Sequence, residues 1–325
     1  MPHTLALIGA RGLVGTSILS IIEERGIAIE RLVPVGATRS GSLSFCGKEI
    51  EVQDIGDVDF ASIDVAMLCA GRDAALEHAE AIAATGCRVI DSSSALRTRE
   101  SIPLVVPELN GDLITDTTRI VSNPNCVAIQ VALALAPIRD AFEIDRVDVT
   151  TWQAASGAGT ELLDRLERED TPLAANVIPC IGDLDEHGRS GEEVKIEREI
   201  PALLGRPDLM VAATATRVPV RNGHGAAVHL RTREPASVQR LQEVLRSGAG
   251  LRFCDPTTHP EGPSPRIDAD GIDDVLVGRV RVDPRDSRDV RMWVTADNLR
   301  RGAALNAVMI LEKVLGLAGP ASDPR

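Results

Sequence analysis

The sequence predicts an α/β protein: a doubly wound parallel sheet followed by a second, α+β domain. Three observations carry that expectation. Strand-like and helix-like segments alternate over the first 125 residues, three glycines punctuate the first strand–helix junction, and after Cys126 the pattern turns to β-rich runs separated by polar turns. Strict alternation favours parallel strands with helices on both faces, whereas clustered strands favour antiparallel pairing.

Taken in order, residues 5–8 form a short apolar run, and residues 13–24 carry apolar side chains at helical spacing. Residues 31–37, 65–69, 87–90 and 119–121 read as further strands. Residues 74–85 read as a helix closed by Gly86 at the position after the C-cap, which glycine favours. The proline of Ser122-Asn-Pro-Asn-Cys126 stops a strand, and the apolar run behind it predicts a helix over 127–137. Runs at 146–153, 209–220, 226–232, 275–283 and 290–296 predict a largely antiparallel sheet. Residues 302–316 form an amphipathic pattern (Ala303, Leu305, Val308, Leu311, Leu315) expected to return to the first domain, and the tail 317–325 is expected to fray.

The chain has 325 residues, with 35 Lys+Arg against 48 Asp+Glu, so its net charge is 35 − 48 = −13. That sign argues against nucleic-acid and anionic-membrane partners, which need a basic surface. Aromatics are 2% with no Tyr, which argues against a base-stacking or sugar-stacking surface. No apolar run reaches the roughly 18 residues a spanning helix needs, and the start lacks a basic signal-peptide region, so a cytoplasmic protein is expected. The cysteines at 46, 69, 87, 126, 180 and 254 have no CxxC spacing, so no metal site is expected. Five of them are expected to be small buried hydrophobes.

Chemistry enters first at Gly9-Ala-Arg11-Gly12-Leu13-Val14-Gly15, after the first strand. Glycines at such a junction permit a tight turn and close approach of a pyrophosphate to a helix N-terminus, as in Rossmann-type dinucleotide domains. The spacing is GxxGxxG rather than GxGxxG, and a plain βα turn is the alternative. Where an NAD site carries an acid after the second strand, this chain has Thr38-Arg39-Ser40. A cation flanked by hydroxyls suits a 2′-phosphate, hence NADP; an ordinary polar turn is the alternative. Cys126 falls at a predicted helix N-terminus, where free N–H groups and the helix dipole lower a thiol pKa, as a thiolate nucleophile needs; an inert buried cysteine is the alternative, and a nucleophile would need a base. His224, between Gly223 and Gly225, is the candidate base; the glycines leave the imidazole little steric cover, as a cleft residue requires.

Together these blocks resemble the aspartate-β-semialdehyde dehydrogenase family. The resemblance runs from Leu5 to about Glu312. It takes in Gly9–Gly15, Thr38-Arg39-Ser40, Asp91-Ser-Ser-Ser-Ala-Leu-Arg97, Pro103-Leu-Val-Val-Pro-Glu-Leu-Asn110 and Ser122–Cys126. It continues through Gln153-Ala-Ala-Ser-Gly-Ala-Gly159, Glu192-Glu-Val-Lys195, Arg217–His224 and Asp297-Asn-Leu-Arg-Arg-Gly-Ala-Ala-Leu-Asn306. It implies NADP-dependent reductive dephosphorylation of β-aspartyl phosphate to aspartate semialdehyde through a cysteine thioester, in amino-acid biosynthesis. Residues 1–125 with 302–325 would bind NADP, and 126–301 would hold the catalytic and dimerisation domain of a homodimer.

In that reading Cys126 is the nucleophile, His224 the acid/base, and Gln153 orients the acyl group. Arg217 grips the substrate carboxylate, Glu192 the ammonium, and Arg97 and Lys195 the phosphate, with Asn125 also at the substrate. Gly9, Arg11, Gly12, Leu13, Val14, Gly15, Thr38, Arg39, Ser40, Ser156, Gly157 and Asn298 match cofactor-binding positions. Three residues apart, Glu192 and Lys195 would share a helix face; a solvated surface pair is the plainer reading. The chain departs from the family at Val127, where a hydroxyl is usual, at Trp152 in place of Tyr or Phe, and at Met309 in place of a glutamine. The run Glu199-Ile-Pro-Ala-Leu-Leu and the segment at 178–186 depart as well. A related reductase acting on N-acetylglutamyl phosphate is an alternative; Glu192 and the Asn-Pro-Asn-Cys loop count against it. A weakened paralogue serving as a binding partner is another, favoured only by Met309 and opposed by the retained Cys126, Gln153, His224 and phosphate cations.

Overall fold

The computed structural model describes residues 3–36 and 41–317, so Thr38, Arg39 and Ser40 lie outside the described residues. The chain divides into two compact units, Met1–Pro124 with Ala303–Arg325, and Asn125–Gly302.

The first unit runs β1 (His3–Ile8), α1 (Leu13–Glu24), β2 (Ile29–Gly36), β3 (Ser42–Phe45), β4 (Lys48–Glu51), β5 (Gln53–Asp54), β6 (Val65–Leu68), α2 (Arg72–Ala84), β7 (Arg88–Asp91), α3 (Pro107–Asn110) and β8 (Ile120–Ser122). Six strands form one sheet in the order β5-β2-β1-β6-β7-β8, with every neighbouring pair parallel. Counted within the sheet this is 3-2-1-4-5-6, the doubly wound order, and the direction of winding reverses between β1 and β6. Alternation along β1 sends Leu5 and Leu7 to one face and Ala6 and Ile8 to the other. The first pair packs with Ile18 and Ile22 of α1, the second with Ala75, Ala79 and Ile82 of α2. Full burial of an Ile or Leu side chain contributes roughly 1.5–3 kcal/mol, so these stripes fix which face each helix covers. Gly86, at φ +100°, follows α2 as expected.

The hairpin β3–β4 escapes the sequence reading because its strands are short and half polar. It closes through Cys46 and Gly47, both at positive φ, as a two-residue turn matching strand twist requires. Cys46 is therefore exposed, and Cys69 and Cys180 are only partly buried. Of the five cysteines expected inside, Cys87 and Cys254 alone are fully buried.

The second unit runs α4 (Cys126–Ala141), β9 (Ile144–Gln153), α5 (Thr160–Glu167), α6 (Gly191–Leu203), β10 (Met210–Arg217), β11 (His224–Thr232), α7 (Val238–Arg246), β12 (Leu251–Phe253), β13 (Val275–Val282) and β14 (Asp289–Ala296). Its sheet, β10-β9-β11-β14-β13-β12, is antiparallel only at its centre; both edge strands run parallel to their neighbours. The reason is connection length: long excursions separate β9 from β10 and β12 from β13, and only such crossovers allow parallel pairing. Helix α4 begins one residue earlier than expected and passes through Pro137, and Val127–Ala136 are buried without a break. Such a helix, apolar all round, is interior rather than amphipathic.

The last helix, α8 (Leu305–Leu315), belongs to the first unit and buries Val308, Leu311 and Val314 in the cluster around α1. It is shorter than the predicted 302–316, because Arg300–Ala304 form a wide turn before it, and Gly316 at φ +68° closes it.

Candidate active site

In the second unit, β9 and β10 end in register at Gln153 and Arg217, and β11 starts at His224 beside them. Alternation along β9 turns Val147, Val149, Thr151 and Gln153 inward, while Trp152 faces the other side of the sheet and packs against Trp293 at 5.4 Å. Gln153, Arg217 and His224 are therefore gathered by sheet register alone.

Cys126 is the first residue of α4 and Asn125 its N-cap. The Asn125 side-chain oxygen accepts from the N–H groups of Val127 (2.9 Å) and Ala128 (3.2 Å), the capping bond an asparagine supplies. The same side chain donates through Nδ2 to Glu192 Oε1 at 2.9 Å, and Gln153 Nε2 donates to that oxygen at 3.1 Å. Lys195 Nζ bonds Glu192 Oε2 at 3.0 Å. Helix α6 delivers Glu192 and Lys195 on one face; its start is fixed by a reciprocal capping box between Ser190 and Glu193. Glu192 is 6% exposed, so the pair is no solvated surface bridge. Burial pushes the Glu192 carboxyl up, but Lys195 and the bonds from Asn125 and Gln153 together hold it below the ordinary range, and it is ionised.

His224 is fully buried, which corrects the expectation that its flanking glycines leave it uncovered. Those glycines answer close packing instead. A Cβ at Gly223 would meet Pro265 O at 2.4 Å, and one at Gly225 would meet the Trp293 ring at 2.4 Å. His224 Nδ1 accepts the Ala154 N–H at 3.0 Å, so Nε2 carries the ring proton, and Nε2 has no hydrogen-bond partner among the described residues. Burial, reinforced by the Arg217 charge, pushes the imidazole down to about 3; it is neutral at physiological pH. Arg217 donates Nη1 to Ala154 O at 2.8 Å; burial lowers its pKa, while the Cys126 and Glu192 charges nearby support its ionised form. A Cβ at Gly157 would lie 2.8 Å from Arg217 Nη1 and 3.2 Å from His224 Nε2, so that backbone approaches both groups as only glycine allows.

Ser156 and Asn298, expected at a cofactor, are engaged with the histidine loop. Asn298 Oδ1 accepts the Gly223 N–H at 2.9 Å, and its Nδ2 donates to Ser156 Oγ at 2.8 Å. Two residues at this site have no role in the sequence reading. Glu199 accepts the Asn125 N–H at 2.6 Å, and a Cβ at Gly302 would stand 2.8 Å from Cys126 Cβ. The seven-residue step from Glu192 to Glu199, two turns on one helix face, is a signal that would have found the first.

In the first unit, Arg97 donates Nε to Asn123 O (2.9 Å) and Nη2 to Ser92 O (3.2 Å). The β1–α1 turn fits a dinucleotide pyrophosphate. A Cβ at Gly9 would meet the Cys69 backbone at 2.8 Å and one at Gly15 would meet Gly9 O at 2.4 Å. Helix α1 has no side-chain cap and no acid in its first turn, which leaves its N–H end open to an anion. Arg11 comes within 3.2 Å of where a Gly41 Cβ would be, bringing a cation next to Gly41.

Residues 4–117 match the profile of the semialdehyde dehydrogenase NAD binding domain, and residues 135–301 that of the semialdehyde dehydrogenase dimerisation domain. Aspartate-semialdehyde dehydrogenase of Shewanella violacea is 37% identical over 96% of this chain and 97% of its own. The chain belongs to the aspartate-semialdehyde dehydrogenase family. The Aquifex aeolicus member is 38% identical over 96% of this chain and 98% of its own. Among solved members of the family, aspartate semialdehyde dehydrogenase II of Vibrio cholerae superposes with a TM-score of 0.92 at 35% identity, covering 97% of this chain and 99% of that one. The same enzyme has been solved complexed with ASA. No helix among the described residues is long and apolar enough to cross a membrane.

Proposed function

We propose that this protein carries out the NADP-dependent reductive dephosphorylation of β-aspartyl phosphate to aspartate semialdehyde through a thioester on Cys126. The observation that supports this best is the connected set Asn125–Glu192–Gln153–Lys195 around the first residue of α4, with Arg217 and a His224 Nε2–H that has no partner among the described residues beside it. The Cys126 sulfur attacks the acyl carbon, the bond to the phosphate oxygen breaks, and phosphate leaves. When bound, the nicotinamide supplies the hydride. The oxygen on the acyl carbon takes up negative charge in both addition steps, and His224 Nε2–H is the donor that meets it. As the carbonyl re-forms, the C–S bond breaks and the thiolate returns. Arg217 would hold the substrate carboxylate, Glu192 the ammonium and Lys195 the phosphate; Arg97 is proposed as a phosphate cation from the resemblance. A homodimer is proposed, in keeping with the dimerisation-domain profile. The direct test is NADPH oxidation with enzymatically generated β-aspartyl phosphate, or NADP reduction with semialdehyde and phosphate.

NADP is preferred to NAD in this reading because Thr38-Arg39-Ser40 replaces an acid and Arg11 stands beside Gly41, the next residue in sequence. Arg39→Ala should lower kcat/KM for NADP by about tenfold, the equivalent of 1.4 kcal/mol, and leave NAD use unchanged. Equal use of both cofactors by the unaltered protein would remove the 2′-phosphate assignment.

Substrate choice rests on Glu192. Glu192→Gln should weaken discrimination between aspartate semialdehyde and its N-acetylated analogue by roughly tenfold or more, since losing one partner of a desolvated charge pair costs about 2–5 kcal/mol. A preference of the unaltered protein for the acetylated compound would overturn the aspartate assignment and leave the reductase chemistry standing.

A further inference from the structure

We propose that Glu199 is a positioning residue for the nucleophile, acting through the reach of its carboxylate rather than through its charge. The inference rests on the reading of Cys126 as that nucleophile. Glu199 is 4% exposed, and its Oε2 accepts the Asn125 backbone N–H at 2.6 Å. Glu192, two turns earlier on the same face of α6, accepts from the side chain of the same residue at 2.9 Å. Asn125 is thus gripped at its backbone by one carboxylate and at its amide by the other, while its own oxygen caps α4. Cys126 follows directly, so the backbone that carries the sulfur is fixed from α6. On the other side, the Gly302 backbone packs closely on Cys126: a Cβ there would stand 2.8 Å from Cys126 Cβ. Buried Ile196 and Ile200 flank Glu199 and seat this face of α6. A displacement of about 1 Å at a reacting group can cost on the order of 10²-fold in rate, which makes a single backbone bond next to the nucleophile consequential.

Two conservative variants separate reach from charge. Glu199→Gln keeps the length and an acceptor oxygen but removes the charge; Glu199→Asp keeps the charge but withdraws the oxygen by one methylene. Positioning predicts that Asp lowers kcat about tenfold or more with KM changed less than about threefold, and slows alkylation of Cys126 in parallel, whereas Gln retains kcat within about threefold. Full kcat in the Asp variant, or a loss in Gln as large as in Asp, would overturn the inference. An active Cys126→Ala protein, by contrast, would remove the nucleophile reading itself. An inactive Cys126→Ala protein alongside two fully active Glu199 variants would refute only the role given to Glu199.

Discussion

Cys126→Ala is expected to lose the reductase reaction by on the order of 10⁴-fold or more, the scale on which a covalent nucleophile acts. Ala cannot accept the acyl group, and its methyl fits where the Cys126 Cβ already sits, so the fold should be kept. Iodoacetamide should inactivate the unaltered protein in step with label appearing at Cys126. The structure qualifies which thiols compete. Burial pushes the Cys69 and Cys87 thiols up to about 12 and raises that of Cys254, so these three should react slowly. Cys46 is exposed in its hairpin turn and should label without loss of activity. Peptide mass mapping against residual activity makes the distinction; retained activity in Cys126→Ala would end the thioester mechanism.

The second large effect is at His224. His224→Asn should lower kcat by about 10²–10³-fold while KM moves little, the range for losing a donor aimed at a developing oxyanion. The same residue has a signature in stability. Its pKa in the folded protein is about 3 against an ordinary value near 6.5, so below pH 6.5 the unfolded chain takes up a proton that the folded one refuses. Folding stability is fully present above pH 6.5 and falls, by at most about 1.4 kcal/mol per pH unit, on descent towards pH 3. Urea unfolding at pH 7.5 and 5.5 should therefore show the unaltered protein losing about 1 kcal/mol more than His224→Asn over that interval. Equal losses, together with near-normal kcat across the pH range in the variant, would make His224 a structural residue with access to protons.

The parallel sheet was legible because alternation of period-two and helical runs leaves few topologies open, and the glycine turn marked its first junction. The hairpin at residues 42–51 was not, because its strands are short and half polar, and neither were the parallel edges of the second sheet, which depend on pairing partners distant in sequence. At the site, Cys126 and its cap could be read from Asn-Pro-Asn-Cys, a local signal. The burial of His224 could not, because the flanking glycines look the same whether they open a cleft or admit Pro265 and Trp293. The place of Glu199 at the site went unread for a related reason. A glutamate seven residues beyond another is an ordinary surface pattern until α4 is known to lie against it.

Asn125 has a consequence for sequence variation at this position. An isolated helix would accept Asp, Ser or Thr in its cap almost as readily as Asn. Here the side chain must offer an acceptor inward to Val127 and Ala128 and, from the same terminal group, a donor outward to an ionised carboxylate. A carboxylate has no hydrogen to give, and a hydroxyl has one atom for two directions. Of the residues that cap helices well, only the one with a primary amide serves both neighbours, so a position that local helix chemistry leaves open to four choices is narrowed to one by the acid two strides along another helix.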